Sequence, residues 1–147
     1  MASLTYSIPI RTSSDKLWAL VCDVRRVAQL FPFTIVDEYH SPEPCNWVFR
    51  RRVNIPNVTD LTWREHSWTE REGELHFRAV DGDLQTFNGH WQVAANDTGA
   101  TLTLALEYVI PEALRPRVPS AMVDYVMGEL CKTICLRMKE AVEEAPV

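Results

Sequence analysis

The chain has 147 residues, of which 46% are hydrophobic and 24% charged; that is enough apolar material for one globular domain with a substantial core, and it excludes a disordered polypeptide. A formal charge of -5, with a basic cluster no longer than Arg50, Arg51 and Arg52, excludes the concentrated basic surface of a nucleic-acid binder. No apolar run approaches the roughly 18 residues of a membrane span and MASLTYSIPI lacks a signal-peptide pattern, so a soluble, cytoplasmic protein is expected.

LTYSIPI is short, alternating and rich in Thr, Tyr and Ile, which predicts a first strand. TSSDKLWALVCDV offers Ser and Asp as caps, then Leu17, Leu20, Val21 and Val24 at helical intervals. A second short helix, RRVAQLF, must stop at Pro32, because the proline ring disfavours helical geometry in Phe31. From residue 34 the pattern becomes a meander: TIVDEYH, NWVFRRRVNI, TDLTWREHSW, LHFRAV, LQTFNGHWQVA and ATLTLALEYVI, separated by the turn signals SPEP, PN, EREGE, DGD and NDTG. Past Pro111, Pro116 and Pro119 comes the longest helical pattern. There Met122, Val126, Leu130, Ile134 and Met138 repeat every four residues and mark one face for a sheet.

The layout is α+β: a strand, two short helices, about six sequential antiparallel strands and a long closing helix. A bent sheet around such a helix leaves a space that is either filled by side chains or used for a ligand. Cys22, Cys45, Cys131 and Cys135 lie in apolar-periodic surroundings without CxxC spacing and read as reduced core thiols. Cys131 and Cys135 have the spacing of two ligands on one helix face, but no His or second Cys pair completes a metal site.

The stretch TDLTWREHSW poses the functional question. In a strand, Leu61, Trp63, Glu65 and Ser67 share one face, which drifts from apolar to acidic. On the strand before it, Trp47, Phe49, Arg51, Val53 and Ile55 form the matching set, with Arg51 its polar member. A buried charge needs a partner, so an inward Glu65 predicts an inward Arg51.

This order of elements, with LWALVCDVRRVAQLFP early and FNGHW late, resembles the helix-grip superfamily of START-like domains and polyketide cyclases along nearly the whole chain. The nearest look is to single-domain polyketide aromatase/cyclases and coenzyme-Q-binding relatives, through Asp23, Val24, Arg26, Phe31 and Pro32. The resemblance implies a helix-grip fold, a curved antiparallel sheet of about seven strands wrapped around the C-terminal helix, with a deep cavity between them for a hydrophobic molecule. It also implies an acyl carrier protein as the partner presenting a polyketide. Two departures stand out: Val27 occupies a position where such cyclases often have Trp, and Ser67 the position where they carry an arginine four residues after a Trp that Trp63 matches.

The expected activity is a polyketide aromatase/cyclase or dehydratase needing neither metal nor organic cofactor. Glu65 would be the general base, with Arg51 and Ser67 as donors to the developing oxyanion. Phe31, Trp47, Trp63, Phe77, Phe87, Trp91, Tyr108, Met122 and Tyr125 are the expected substrate wall, with Gly89 leaving room. The alternative is a non-catalytic protein of the same fold that carries, sequesters or protects against an aromatic metabolite or quinone. The plainer reading of Arg51 and Glu65 is a structural ion pair at the rim, or an outward face if a bulge shifts the register. His66, His76 and His90 fall on the opposite faces from Trp63, Phe77 and Trp91 and are expected in solvent.

Overall fold

The computed structural model describes residues 2–43, 46–84 and 86–143. Among these residues the chain forms β1 (Ala2–Ile10), α1 (Ser14–Cys22), α2 (Val24–Leu30), β2 (Thr34–Glu43), β3 (Asn46–Ile55), β4 (Thr59–Arg71), β5 (Glu74–Gly82), β6 (Thr86–Asn96), β7 (Gly99–Val109) and α3 (Ser120–Val142). The strands make one seven-stranded sheet in the order β1-β7-β6-β5-β4-β3-β2, antiparallel throughout. This is the helix-grip arrangement: a curved sheet closing on a long C-terminal helix. No helix among the described residues is long and apolar enough to cross a membrane.

Local chemistry places the helices. Ser13 caps α1 by accepting from the Lys16 N–H at 3.2 Å, and Asp23 caps α2 by accepting from the Arg26 N–H at 3.3 Å. α2 ends at Leu30, with Phe31 extended ahead of Pro32. Its last carbonyl, on Leu30, accepts a hydrogen bond from the Arg137 side chain of α3 at 2.8 Å. β2 runs to Glu43, through the Ser41 and Pro42 expected as a turn; Pro44 and Cys45 lie outside the described residues.

Strand alternation decides what faces α3. In β7 and just beyond, Ala100, Leu102, Leu104, Leu106, Tyr108 and Ile110 are all buried, every second residue. α3 answers with Val123, Val126, Met127, Leu130, Cys131, Ile134, Cys135 and Met138. The apolar stripe is wider than a strict four-residue repeat, as a 3.6-residue period requires. Met122 lies at its half-buried edge and Tyr125 is 65% exposed on the far side.

A bulge shapes the sheet beside the polar stretch. Arg64 pairs with Asp81 and Glu65 with Ala79, so Val80 is the extra residue on β5. The bulge bends β5, while the alternation of β4 is untouched because the insertion is on the partner strand. Gly82, paired with Trp63, has φ +130°, and a Cβ there would stand 2.4 Å from the Trp63 Cα. Only glycine permits that approach.

Candidate functional site

Between the sheet and the helices lies a cavity floored by β3 to β7 and roofed by Val21 of α1, Val24, Val27 and Ala28 of α2, and Met127 and Leu130 of α3. Most of its wall is aromatic or aliphatic. Trp63 and Phe87 lie 4.6 Å apart between ring centroids, and Phe77 and Phe87 5.6 Å apart. Phe31, the residue closing α2, meets Trp91 edge to face at 6.4 Å.

The polar end is made by three residues in that wall: Arg51, Glu65 and Ser67, 8%, 2% and 3% exposed. Pleat parity puts them there, since Trp63, Glu65 and Ser67 alternate inward on β4 as Phe49, Arg51 and Val53 do on β3. Arg51 stands opposite Trp63, and Phe49 opposite Glu65. Arg51 and Glu65 are therefore diagonal neighbours, a separation that long side chains can span. Arg51 Nε donates to Glu65 Oε1 at 2.9 Å and Nη2 to Oε2 at 3.1 Å, a bidentate pair. The Trp63 Nε1–H adds a third bond to Oε1 at 3.0 Å. The guanidinium carbon lies 4.6 Å from the Phe31 ring centre and 5.4 Å from that of Phe49, an arrangement that favours a cation.

The two charges cancel, and three hydrogen bonds repay part of the desolvation that burial costs. What remains is specific. Oε1 accepts twice and Oε2 once. Among the described residues, Arg51 Nη1 and Ser67 Oγ have no hydrogen-bond partner, so the cavity offers two donors beside one carboxylate oxygen with a lone pair to spare. The volume open to the centre of a water-sized sphere is about 40 Å³.

Of the residues expected as substrate wall, Phe31, Trp63, Phe77, Phe87 and Trp91 line this cavity; Trp47, Tyr108, Met122 and Tyr125 do not. Trp47 has the right parity but lies near the end of β3, against Tyr39 at 6.1 Å and beneath the Arg25 guanidinium. Tyr108 is buried at the far end of β7, where its hydroxyl donates to Asp124 of α3. Burial first, and then Asp124, raise its pKa. Tyr125 faces away from the sheet, contrary to expectation. Gly89 leaves no room for ligand: the Phe77 ring and the Ala105 carbonyl already fill the place of its Cβ. Gly128, inside α3, has open space where its Cβ would be, with nothing within 4 Å outside its own helix backbone.

Sequence reasoning misses the α2 wall and Met127, whose signal is only the apolar periodicity of their helices. His66, His76 and His90 are on the outer face but half-buried rather than in solvent. They form a row with Trp68, at successive centroid distances of 5.0, 5.6 and 5.7 Å. Among the described residues no group of three or more His, Cys, Asp or Glu side chains is placed to hold a metal ion.

The profile of the family described as polyketide cyclase/dehydrase and lipid transport matches residues 1–143. The chain belongs to that family. No curated protein sequence matches this polyketide cyclase/dehydrase family member. Solved structures do. A Thermus thermophilus protein superposes with a TM-score of 0.79 at 15% identity, over 95% of both chains. The Zhui aromatase/cyclase of Streptomyces sp. R1128 gives 0.73 at 16% identity, over 95% of this chain and 90% of that one. A START superfamily protein of Mycobacterium smegmatis gives 0.73 at 14%, over 95% and 96%. At these identities the likeness establishes the fold, and the family match establishes the general kind.

Proposed function

We propose that this family member is a polyketide aromatase/cyclase or dehydratase whose reacting groups sit at the Arg51–Glu65–Ser67 end of the cavity. The observation that carries the reading is the buried bidentate pair inside an aromatic-lined space between sheet and helix. Glu65 Oε2 takes a proton from the carbon between two carbonyls. The enolate oxygen that forms is met by Arg51 Nη1, and the carbanion attacks a second carbonyl to close the ring. Ser67 Oγ donates to the alkoxide, the proton on Glu65 returns to it, and loss of water completes aromatisation. The aromatase/cyclase among the structural neighbours supports this reading, and an acyl carrier protein delivering the chain fits it. A chain long enough to form several rings exceeds the present space, so turnover on it requires the wall to give way.

The deciding experiment offers the protein a synthetic poly-β-keto thioester and follows cyclised product by mass and absorbance. Glu65→Gln should lower the rate on the order of 10²–10⁴-fold, with ligand binding, read from tryptophan quenching, retained. Full product yield from Glu65→Gln and Arg51→Met would overturn the assignment.

One specific observation favours the second reading, a carrier or protective binding protein: Ser67 stands where the cyclases this chain resembles keep an arginine, and three of the lone pairs on Glu65 are already used. Stoichiometric binding of an aromatic metabolite, with no change in its mass, would decide for it.

A further inference from the structure

We infer that Glu65 is a specificity-determining residue that sets the charge the cavity accepts, admitting uncharged ligands that bear a ketone and turning carboxylates away. The inference rests on the reading of this cavity as a ligand site. It holds whether the ligand is then transformed or only carried.

An unpaired arginine in an apolar cavity is a receptor for carboxylate, because the edge formed by Nε and one Nη matches two carboxylate oxygens. In this chain that edge is closed. Glu65 Oε1 lies 2.9 Å from Nε and Oε2 3.1 Å from Nη2, so the protein's own carboxylate occupies the place an anionic ligand would take. Trp63 holds it there through Nε1 at 3.0 Å. The face of the guanidinium is covered by Phe31 and Phe49. The end formed by Nη1 and the second N–H of Nη2 remains, and with the guanidinium charge already balanced by Glu65 it suits a neutral acceptor such as a ketone oxygen.

Arg51 and Glu65 sum to zero, both are almost fully buried, and among the described residues the rest of the lining carries no charged side chain. A ligand carboxylate would add an unbalanced buried charge beside the Glu65 carboxylate, and burial of an uncompensated ion is costly. A ketone adds no charge, and bonds to a donor that has no partner among the described residues.

The test uses two probes with the same ring system, 2-acetylnaphthalene and 2-naphthoate, titrated into the full chain at neutral pH with tryptophan quenching as readout. The wild type should bind the ketone at least about tenfold more tightly than the carboxylate. Glu65→Gln, which opens the arginine fork, should reverse that order. Equal or tighter binding of 2-naphthoate by the wild type, or a ratio unmoved in a folded Glu65→Gln variant, overturns the charge rule and leaves the ligand site standing. Binding of neither probe overturns the ligand-site reading, and the rule with it.

Should Glu65→Gln not fold, the wild type alone decides. Its apparent affinity for the naphthoate should rise by about tenfold per pH unit on acidification, tracking the uncharged fraction of the probe, while that for the ketone stays level. A naphthoate affinity independent of pH overturns the rule.

Discussion

The Arg51 guanidinium and the Glu65 carboxylate meet along the diagonal between β3 and β4, with Phe49 and Trp63 on the other diagonal. Neither charge can be removed alone without stranding the other in an apolar wall. Arg51→Met or Glu65→Leu alone should cost about 3–5 kcal/mol, and the double variant should regain most of that loss. Urea denaturation of the four proteins measures the cycle; additive losses would show that the pair is not coupled.

Two glycines should respond in opposite directions. At Gly89 an added Cβ would lie 2.1 Å from the Ala105 carbonyl oxygen and 2.8 Å from the Phe77 ring, both fixed by packing. Gly89→Ala should therefore destabilise by about 1–3 kcal/mol or more. At Gly128, inside α3, no atom lies within 4 Å of the added Cβ, and Gly128→Ala should stabilise by about 0.4–1 kcal/mol. Denaturation midpoints of the two variants separate the cases.

Burial pushes the Cys131 and Cys135 thiols up to about 12, with Cys131 adding a smaller contribution at Cys135. At pH 8 both stay protonated and shielded. In a Cys22→Ser/Cys45→Ser variant, a thiol-reactive reagent should modify neither residue in the native state and both in urea. Prompt native labelling would mean that α3 opens locally.

The carboxylate of Glu143, just past α3, accepts from the Arg11 side chain at 3.0 Å, from Lys139, and from the Arg11 N–H at 3.2 Å. The Arg11 guanidinium, then Lys139, then the Arg11 N–H hold its pKa at about 2, below its ordinary 4.5. A depressed carboxylate stabilises the fold above its unfolded value and loses that contribution as protons are added. The melting-temperature advantage of wild type over Glu143→Gln should be full at pH 6, decline below pH 4.5 and vanish near pH 2. Salt should shrink it, because the Arg11 side chain is 57% exposed.

Alternation made the face of the Arg51–Glu65–Ser67 set readable in TDLTWREHSW, because a pleat fixes which side chains share a side whatever the rest of the chain does. The bulge that could have upset that parity falls on β5. Parity does not say how far along a strand the cavity extends, which is why Trp47 and Tyr108 have an inward register and still lie beyond it. Tyr125 shows a different limit. At 3.6 residues per turn, the face centred on Val123, Met127, Leu130 and Ile134 leaves Tyr125 on the opposite side, and the four-residue repeat that starts at Met122 drifts onto it only from the edge. The α2 wall was hidden for a third reason: periodicity marks Val24 and Val27 as buried without saying that what they face is open space.

From β2 to β7, each strand pairs with its neighbour in sequence, but β1 pairs with β7, joining Ala2 to Tyr108. The hairpins can zip through short loops. The first strand made must wait for the last, since closing so long a loop costs entropy that only the finished edge repays. Nascent chains would then carry β1 unpaired until β7 emerges, with the buried edge of the future sheet open to other strands in the meantime. Pulse-labelled hydrogen exchange during refolding should find the β1 amides protected after those of β3 to β6; simultaneous protection would show that the two ends of the chain meet early.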